Sequence, residues 1–238
     1  MKKLGVIGGL GPMASAYFLE LITEMCDAAS DQEHIETVVY SKPSTPDRTA
    51  YILDKSQESP VPAMVQSGAV LKAMGVDILA IPCVTAHYFH AELESLIGMR
   101  IVNAVRETAE YLNNMHIDKV AIMATDGTVK SGLFQSELEK RNIGCILPDE
   151  EEQKGVMRLI YECVKAGQPI DMDLFNSIKE SLKTKGAQVI ILGCTELSII
   201  KKNNNIGAGF LDVLEVLANK CVSECAKLKP EYNNLITK

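Results

Sequence analysis

Short apolar runs, each closed by a small-residue turn, alternate along this chain with longer stretches whose apolar positions return every three to four residues. The short runs read as buried strands and the longer stretches as helices. Leu4 to Gly8 is the first strand, and Pro12 to Ala29 the first helix, where Pro12 suits a first turn that leaves its N–H unbonded anyway. Glu36 to Tyr40 is a second strand, running into the polar loop Ser44 to Thr49. A helix over Pro62 to Met74 stops at Gly75, and Val76 to Pro82 is the strand that delivers Cys83, with a further helix opening after Thr85. After a helix over Asn103 to Asn113 the pattern starts again. Val120 to Ala124 is a strand ending in Thr125-Asp126-Gly127-Thr128, Ser131 to Arg141 a helix, and Cys145 to Leu147 a short strand. Pro148 to Glu152 reads as a solvated acidic loop. Helices over Val156 to Lys165 and Asp173 to Gly186 lead to the strand Gln188 to Gly193, which delivers Cys194, and a last helix covers Phe210 to Lys227.

Strands that alternate with helices imply parallel sheets joined by right-handed crossovers. The order strand, helix, strand, helix, strand with cysteine occurs twice, a duplication of pattern. The expected fold is therefore α/β: two similar small α/β/α domains with parallel sheets and a cleft between them. The last helix crosses back onto the first domain, giving an expected division of 1–105 plus 210–238 against 106–209. A chain of 238 residues is long enough for both to bury a core.

Charge and composition narrow the partners. A net charge of -7 argues against nucleic acid, which needs a basic face, while leaving room for an acidic small molecule held by a few buried cations. The N-terminal apolar run breaks at Gly8-Gly9, too early for a signal peptide, and no run approaches a membrane span. A cytoplasmic location without membrane contact is the expectation. Seven cysteines, an odd number without regular spacing, fit reduced thiols, and the absence of a Cys-x-x-Cys pair or histidine ligand spacing argues against metal.

Candidate chemistry centres on Ile81-Pro82-Cys83-Val84-Thr85-Ala86-His87 and Ile191-Leu192-Gly193-Cys194-Thr195-Glu196. Each strand ends in a cysteine at the sheet edge where ligands gather, followed by a turn whose free N–H groups stabilise a thiolate. Two thiols in matched places suggest an acid and a base facing each other across one small substrate. Cysteine by itself is more often a small buried hydrophobe. Cys26, Cys145, Cys163, Cys221 and Cys225, which lie in helix or short-strand patterns, are read that way. Gly9-Leu10-Gly11-Pro12-Met13-Ala14 fits the G-x-G-x-x-A of dinucleotide sites, but the second strand ends in Ser41-Lys42-Pro43 without the acid that would hold a ribose. That loop reads better as N–H donors for a carboxylate. Arg48 alone reads as a solvated loop residue, and at this end of a sheet also as a carboxylate partner. His87 and His90 read equally as bases or as capping and packing residues.

Those two cysteine stretches, with Ile7-Gly8-Gly9-Leu10-Gly11-Pro12, Asp47-Arg48, Ala124 to Thr128 and Lys165, resemble the cofactor-independent aspartate/glutamate racemase family over essentially the whole chain, its aspartate racemase branch most. The resemblance implies that Cys83 and Cys194 are the two acid-base residues, that Arg48 and Lys165 bind a side-chain carboxylate, and that Thr85, Thr125, Thr128 and Thr195, with the backbone at Gly11 and Met13, hold the α-carboxylate or amino group. The resemblance also implies no cofactor, and a homodimer. In such a scheme Glu196 or His87 would orient a thiol or accept its proton. The family commonly has asparagine after the first cysteine, where this chain has Val84, and a valine cannot hydrogen-bond substrate.

Other readings are a related two-thiol isomerase on another small carboxylate, an amino-acid-binding protein without turnover, and a thiol redox protein. Arg48 and Lys165 count against hydantoins, and the presence of both cysteines against an arylmalonate-type decarboxylase. Neither cysteine sits in a redox motif.

Overall fold

In the computed structural model, which describes residues 2–238, the two repeats form two parallel sheets. The first repeat runs β1 (Leu4–Gly8), α1 (Pro12–Met25), β2 (Thr37–Ser41), α2 (Arg48–Leu53), α3 (Val61–Ala73), β3 (Ile78–Ala80), α4 (His90–Ile97) and α5 (Ala104–Asn114). The second runs β4 (Lys119–Met123), α6 (Asp126–Lys130), α7 (Leu133–Glu139), β5 (Gly144–Ile146), α8 (Glu150–Arg158), α9 (Met172–Thr184), β6 (Val189–Leu192), α10 (Thr195–Asn203), β7 (Phe210–Asp212) and α11 (Val213–Cys225). The strand orders are β2-β1-β3 and β5-β4-β6-β7. Chain order thus places the cysteine-delivering strands, β3 and β6, directly beside the strands that open each repeat, β1 and β4.

Side chains on a strand alternate between faces, and here the two faces meet different partners. Leu4 and Val6 of β1, Ile78 and Ala80 of β3, Val120 and Ile122 of β4 and Val189 and Ile191 of β6 all point into one core shared by the two sheets. That core is filled by Phe18 of α1, Leu112 of α5, and Leu217, Cys221 and Val222 of α11. The opposite faces are covered locally. Leu79 and Ile81 pack under α3 and α4, and Ala121, Met123, Ile190 and Leu192 pack under α8, α9 and α10. At roughly 25 cal/mol per Å² of apolar surface removed from water, this central layer is what fixes one sheet relative to the other.

Several boundaries differ from the sequence reading. Phe210–Asp212 is a strand paired parallel to β6, so the last helix starts at Val213, and it packs on α1 and α5. Pro148 to Glu152 is a helix start rather than a solvated loop. Asp149 accepts from the Glu152 N–H at 3.0 Å, Glu152 accepts from the Asp149 N–H at 2.7 Å, and acids here complement the helix dipole. The stretch Ser131 to Arg141 holds only α7, preceded by the short α6 that Thr125 caps. After Cys83 the chain makes a 3₁₀ turn, Val84–Phe89, before α4. The helix expected to end at Lys165 passes at Leu159 into a π-helical turn, Leu159–Lys165.

Gly9 turns β1 into α1 with φ at +86°, and a Cβ there would stand 2.3 Å from the Lys42 backbone nitrogen. Only glycine lets β1 and β2 deliver their loops this close together.

Candidate active site

Cys83 and Cys194 occupy matching positions, each extended and each just past the end of its strand, at the N-terminus of the following turn or helix. Both line one chamber of about 20 Å³ between the repeats, room for a single water. Its walls also include Arg48, Thr49, Val84 and Thr85 from the first repeat, and Thr125, Tyr161, Lys165, Thr195 and Glu196 from the second. Outside it opens a vestibule of about 400 Å³ lined by Gly11, Met13 and the rest of the Gly9–Ala14 loop, with Thr45, Ile199 and the same Arg48, Lys165, Thr195 and Glu196. The sequence-derived residues therefore separate into groups. Gly11 and Met13 face the vestibule only, Val84, Thr85 and Thr125 the chamber only, and Thr128 lines neither, standing behind Thr125.

The charges around the two sulfurs are opposite. Cys194 donates its S–H to Glu196 Oε2 at 2.9 Å, and Thr195 donates to the same oxygen at 3.3 Å. Burial, then the charge and hydrogen bond of Glu196, push the Cys194 thiol well above its ordinary range. It is a thiol, held by a carboxylate. Cys83 instead faces the Arg48 guanidinium. Burial works to lower the Arg48 pKa, yet its neighbours Cys83, Asp47 and Tyr161 leave it raised. Arg48 is buried, contrary to its reading as a solvated loop residue. Its NH2 donates to Leu10 O at 2.7 Å, and its NH1 to Pro46 O at 3.0 Å and Thr45 O at 3.3 Å. Nε, buried, has no partner within the protein. Asp47, the N-cap of α2, accepts from the Ala50 N–H at 2.8 Å and so starts the helix that presents Arg48 and Thr49.

Lys165 Nζ lies 4.0 Å from Glu196 Oε1 and 3.9 Å from the centre of the Tyr161 ring. Against burial, Glu196, Tyr161 and Cys194 hold its pKa up. Four buried threonine hydroxyls close the back of the chamber. Thr85 Oγ1 stands 3.1 Å from Thr125 Oγ1 and 3.0 Å from Thr128 Oγ1, and Thr49 Oγ1 donates to Thr125 Oγ1 at 3.3 Å. Thr49 and Thr85 belong to one repeat and Thr125 and Thr128 to the other, so this cluster bridges the cleft.

His87 is buried away from both cavities, its Nε2 3.2 Å from Ile81 O. Burial, then His90, hold its pKa down to about 3, so the ring is neutral. Nε2–H donates to the turn that presents Cys83, and the histidine braces that turn from behind. Tyr161 and Thr49 are the chamber residues that sequence reasoning passed over. The available signals were Tyr161 one turn before Lys165 and Thr49 directly after Arg48.

A duplicated parallel α/β fold with a cysteine at the same place in each repeat, both opening on one small chamber, defines an isomerase of the amino-acid racemase class. The chain belongs to the Asp/Glu/hydantoin racemase family, whose model matches residues 7–221. It is 32% identical to the aspartate racemase of Picrophilus torridus, with 98% of each chain covered and a TM-score of 0.83. It is 25% identical over 230 residues to the broad specificity amino-acid racemase RacX of Bacillus subtilis, covering 92% of this chain and 96% of that one. A glutamate racemase from Francisella tularensis, solved with D-glutamate, shares the fold at 16% identity and a TM-score of 0.64, covering 94% of this chain and 80% of that one. Among the described residues, no helix is long and apolar enough to cross a membrane.

Proposed function

We propose that this protein interconverts the L and D forms of an acidic amino acid, aspartate before glutamate, without a cofactor, using Cys83 and Cys194 as a two-base pair. The observation that carries this reading is the pair of cysteines, one from each repeat, lining one small chamber, one facing a guanidinium and the other hydrogen-bonded to a carboxylate. Racemisation removes the proton from Cα on one side and returns one on the other. Cys83, beside Arg48, starts as the base, and Cys194, kept protonated, starts as the acid. In the reverse direction Cys194 must be a thiolate, and Glu196, 2.9 Å away, is the group in reach to take its proton.

Without an electron sink the carbanion-like state has to be stabilised by the site, and each tenfold in rate needs about 1.4 kcal/mol. The N–H groups at the starts of α1 and α10 and the hydroxyls of Thr85, Thr125 and Thr195 supply donors in a chamber with little room for water. Thr128 supports Thr125. Lys165, with Arg48, meets the side-chain carboxylate, and the likeness to the Picrophilus aspartate racemase supports aspartate as that substrate. In this reading 1–105 plus 210–238 form one catalytic unit and 106–209 the other, with β7 shared by pairing. The protein works in the cytoplasm as a homodimer, which light scattering on purified protein tests.

Val84, whose apolar side chain lines the chamber where the family commonly has asparagine, favours a second reading: the same two-thiol chemistry on another small carboxylate. Proton NMR of L-aspartate and L-glutamate in D2O, with reduced protein and nothing added, tests both. Loss of the Cα–H signal with appearance of the D form supports the proposal, and normal activity in Cys83→Ala or Cys194→Ala would rule out two-base chemistry. No exchange with either acid would move the assignment to a different carboxylate or to a binding protein.

A further inference from the structure

The π-helical turn Leu159–Lys165 stands on the chamber wall. Such turns are rare in helices and are frequently found at functional sites. This one delivers two side chains to the chamber and sets one upon the other, with the Lys165 ammonium 3.9 Å from the centre of the Tyr161 ring. A lysine is a point charge on a flexible stem and has no direction of its own. Here it has two places to rest, the ring face and Glu196 Oε1 at 4.0 Å. Collapse onto Glu196 would neutralise the cation and draw the carboxylate away from the Cys194 thiol and Thr195 hydroxyl that it now accepts. The ring opposes that by offering the ammonium a second partner, one that carries no net charge, while the ion pair with Glu196 stays at 4.0 Å. Tyr161 shares the chamber wall with Thr49, which comes from the other repeat and is tied to Thr125 at 3.3 Å.

We propose that Tyr161 is a positioning residue that sets specificity: its ring face keeps Lys165 from closing further on Glu196 and aims it at the side-chain carboxylate of the substrate, so that selection of acidic over uncharged amino acids depends on the ring. The inference rests on the reading above in which Lys165 meets that carboxylate.

The test compares wild type, Tyr161→Phe, Tyr161→Leu, Lys165→Met and the Tyr161→Leu/Lys165→Met double variant. Turnover is measured as kcat/KM for L-aspartate against L-asparagine, which has the same shape without the charge. Affinity is measured by calorimetry for succinate against succinamate, which reads the same selection without turnover. Tyr161→Phe should keep the preference for the charged member of each pair within about twofold, because the ring remains. Tyr161→Leu should lose about tenfold of it through KM, and Lys165→Met at least as much. The double variant should lose no more than Lys165→Met alone, since the ring acts through the lysine. Equal losses for both members of a pair in Tyr161→Leu, or a loss in Tyr161→Phe as large as in Tyr161→Leu, would overturn the proposal.

Proton NMR of the Lys165 ε-CH2, assigned through Lys165→Met, gives a separate readout. It should lie upfield in wild type and Tyr161→Phe and return to the ordinary lysine position in Tyr161→Leu. Racemisation of aspartate by a wild type lacking that shift would refute the inference and leave the proposed function standing. The shift and the succinate preference, found in a protein that racemises neither acid, would do the reverse.

Discussion

Lowering the pH should weaken this protein through His87, at the turn that presents Cys83. The ring is buried with Nε2 against Ile81 O, and burial, then the facing His90, hold its pKa near 3. In the unfolded chain the same ring titrates near 6.5. Between those values the unfolded state binds the proton and the folded state does not, so stability falls as pH drops below about 6.5. From pH 7.5 to pH 5.0 the unfolded form gains about one and a half units of protonation free energy, which is about 2 kcal/mol. The figure depends little on how low the folded pKa lies, because both pH values are well above it. The perturbation is His87→Gln, whose side-chain amide can donate to Ile81 O in place of Nε2 and does not titrate. Urea denaturation of both proteins at the two pH values gives the difference in stability between them, and every other titrating group cancels in that difference. The gap should move in favour of the variant by about 2 kcal/mol on going to pH 5.0. A gap that stays constant across pH would show that His87 is not held neutral and that the brace behind Cys83 is misread.

Glu196→Gln removes the carboxylate that raises the Cys194 thiol, so Cys194 should be alkylated faster by iodoacetamide at pH 8 in a Cys83→Ser background, followed by peptide mass spectrometry. The same variant should lose roughly 100-fold in kcat/KM, equally from L and D substrate because their equilibrium constant is fixed, as expected for loss of a proton acceptor. Glu215 is pushed up to about 7 by burial and then the charge of Asp212, against Lys201. Its folded pKa lies above its unfolded value, so its contribution is lost as pH rises from about 4.5 to 7, on the order of 3 kcal/mol; stability curves of Glu215→Gln against wild type should diverge over that window in the variant's favour. Asp149→Ala removes the cap of α8 and should cost about 1 kcal/mol in urea denaturation without changing substrate preference.

The repeat, the parallel sheets and the placement of both cysteines were legible because strands buried on both faces read as continuous apolar runs, and Ile78 to Ile81 and Val189 to Leu192 are such runs. Asp149 to Glu152 misled because a cluster of acids looks solvated, although the first turn of a helix is where acids are favoured. Phe210-Leu211-Asp212 was hidden because three apolar-rich residues continue the phase of the helix that follows, and only the edge of β6 shows them to be a strand. Lys165 was singled out through resemblance, and Arg48 through resemblance and its loop position together. The burial of Arg48 was not legible, since it arises from the carbonyls of Leu10, Thr45 and Pro46 closing around it. Tyr161 and Thr49 were missed for a related reason: they reach one chamber from different repeats, a convergence that no local pattern encodes.

The hydrogen bond from Cys194 to Glu196 bears on what happens between turnovers. On the two-thiol scheme an enzyme molecule that has converted one enantiomer is left with its protons exchanged, Cys83 carrying one and Cys194 bare. It is then ready only for the enantiomer it has just made. To accept the first again it must pass a proton back with the site empty. Glu196 biases that reset, since a bare sulfur beside its carboxylate is the less comfortable state. The protein therefore remembers its last substrate for as long as the reset takes, and at high substrate concentration the return of the empty enzyme, rather than the chemistry at Cα, can set the pace.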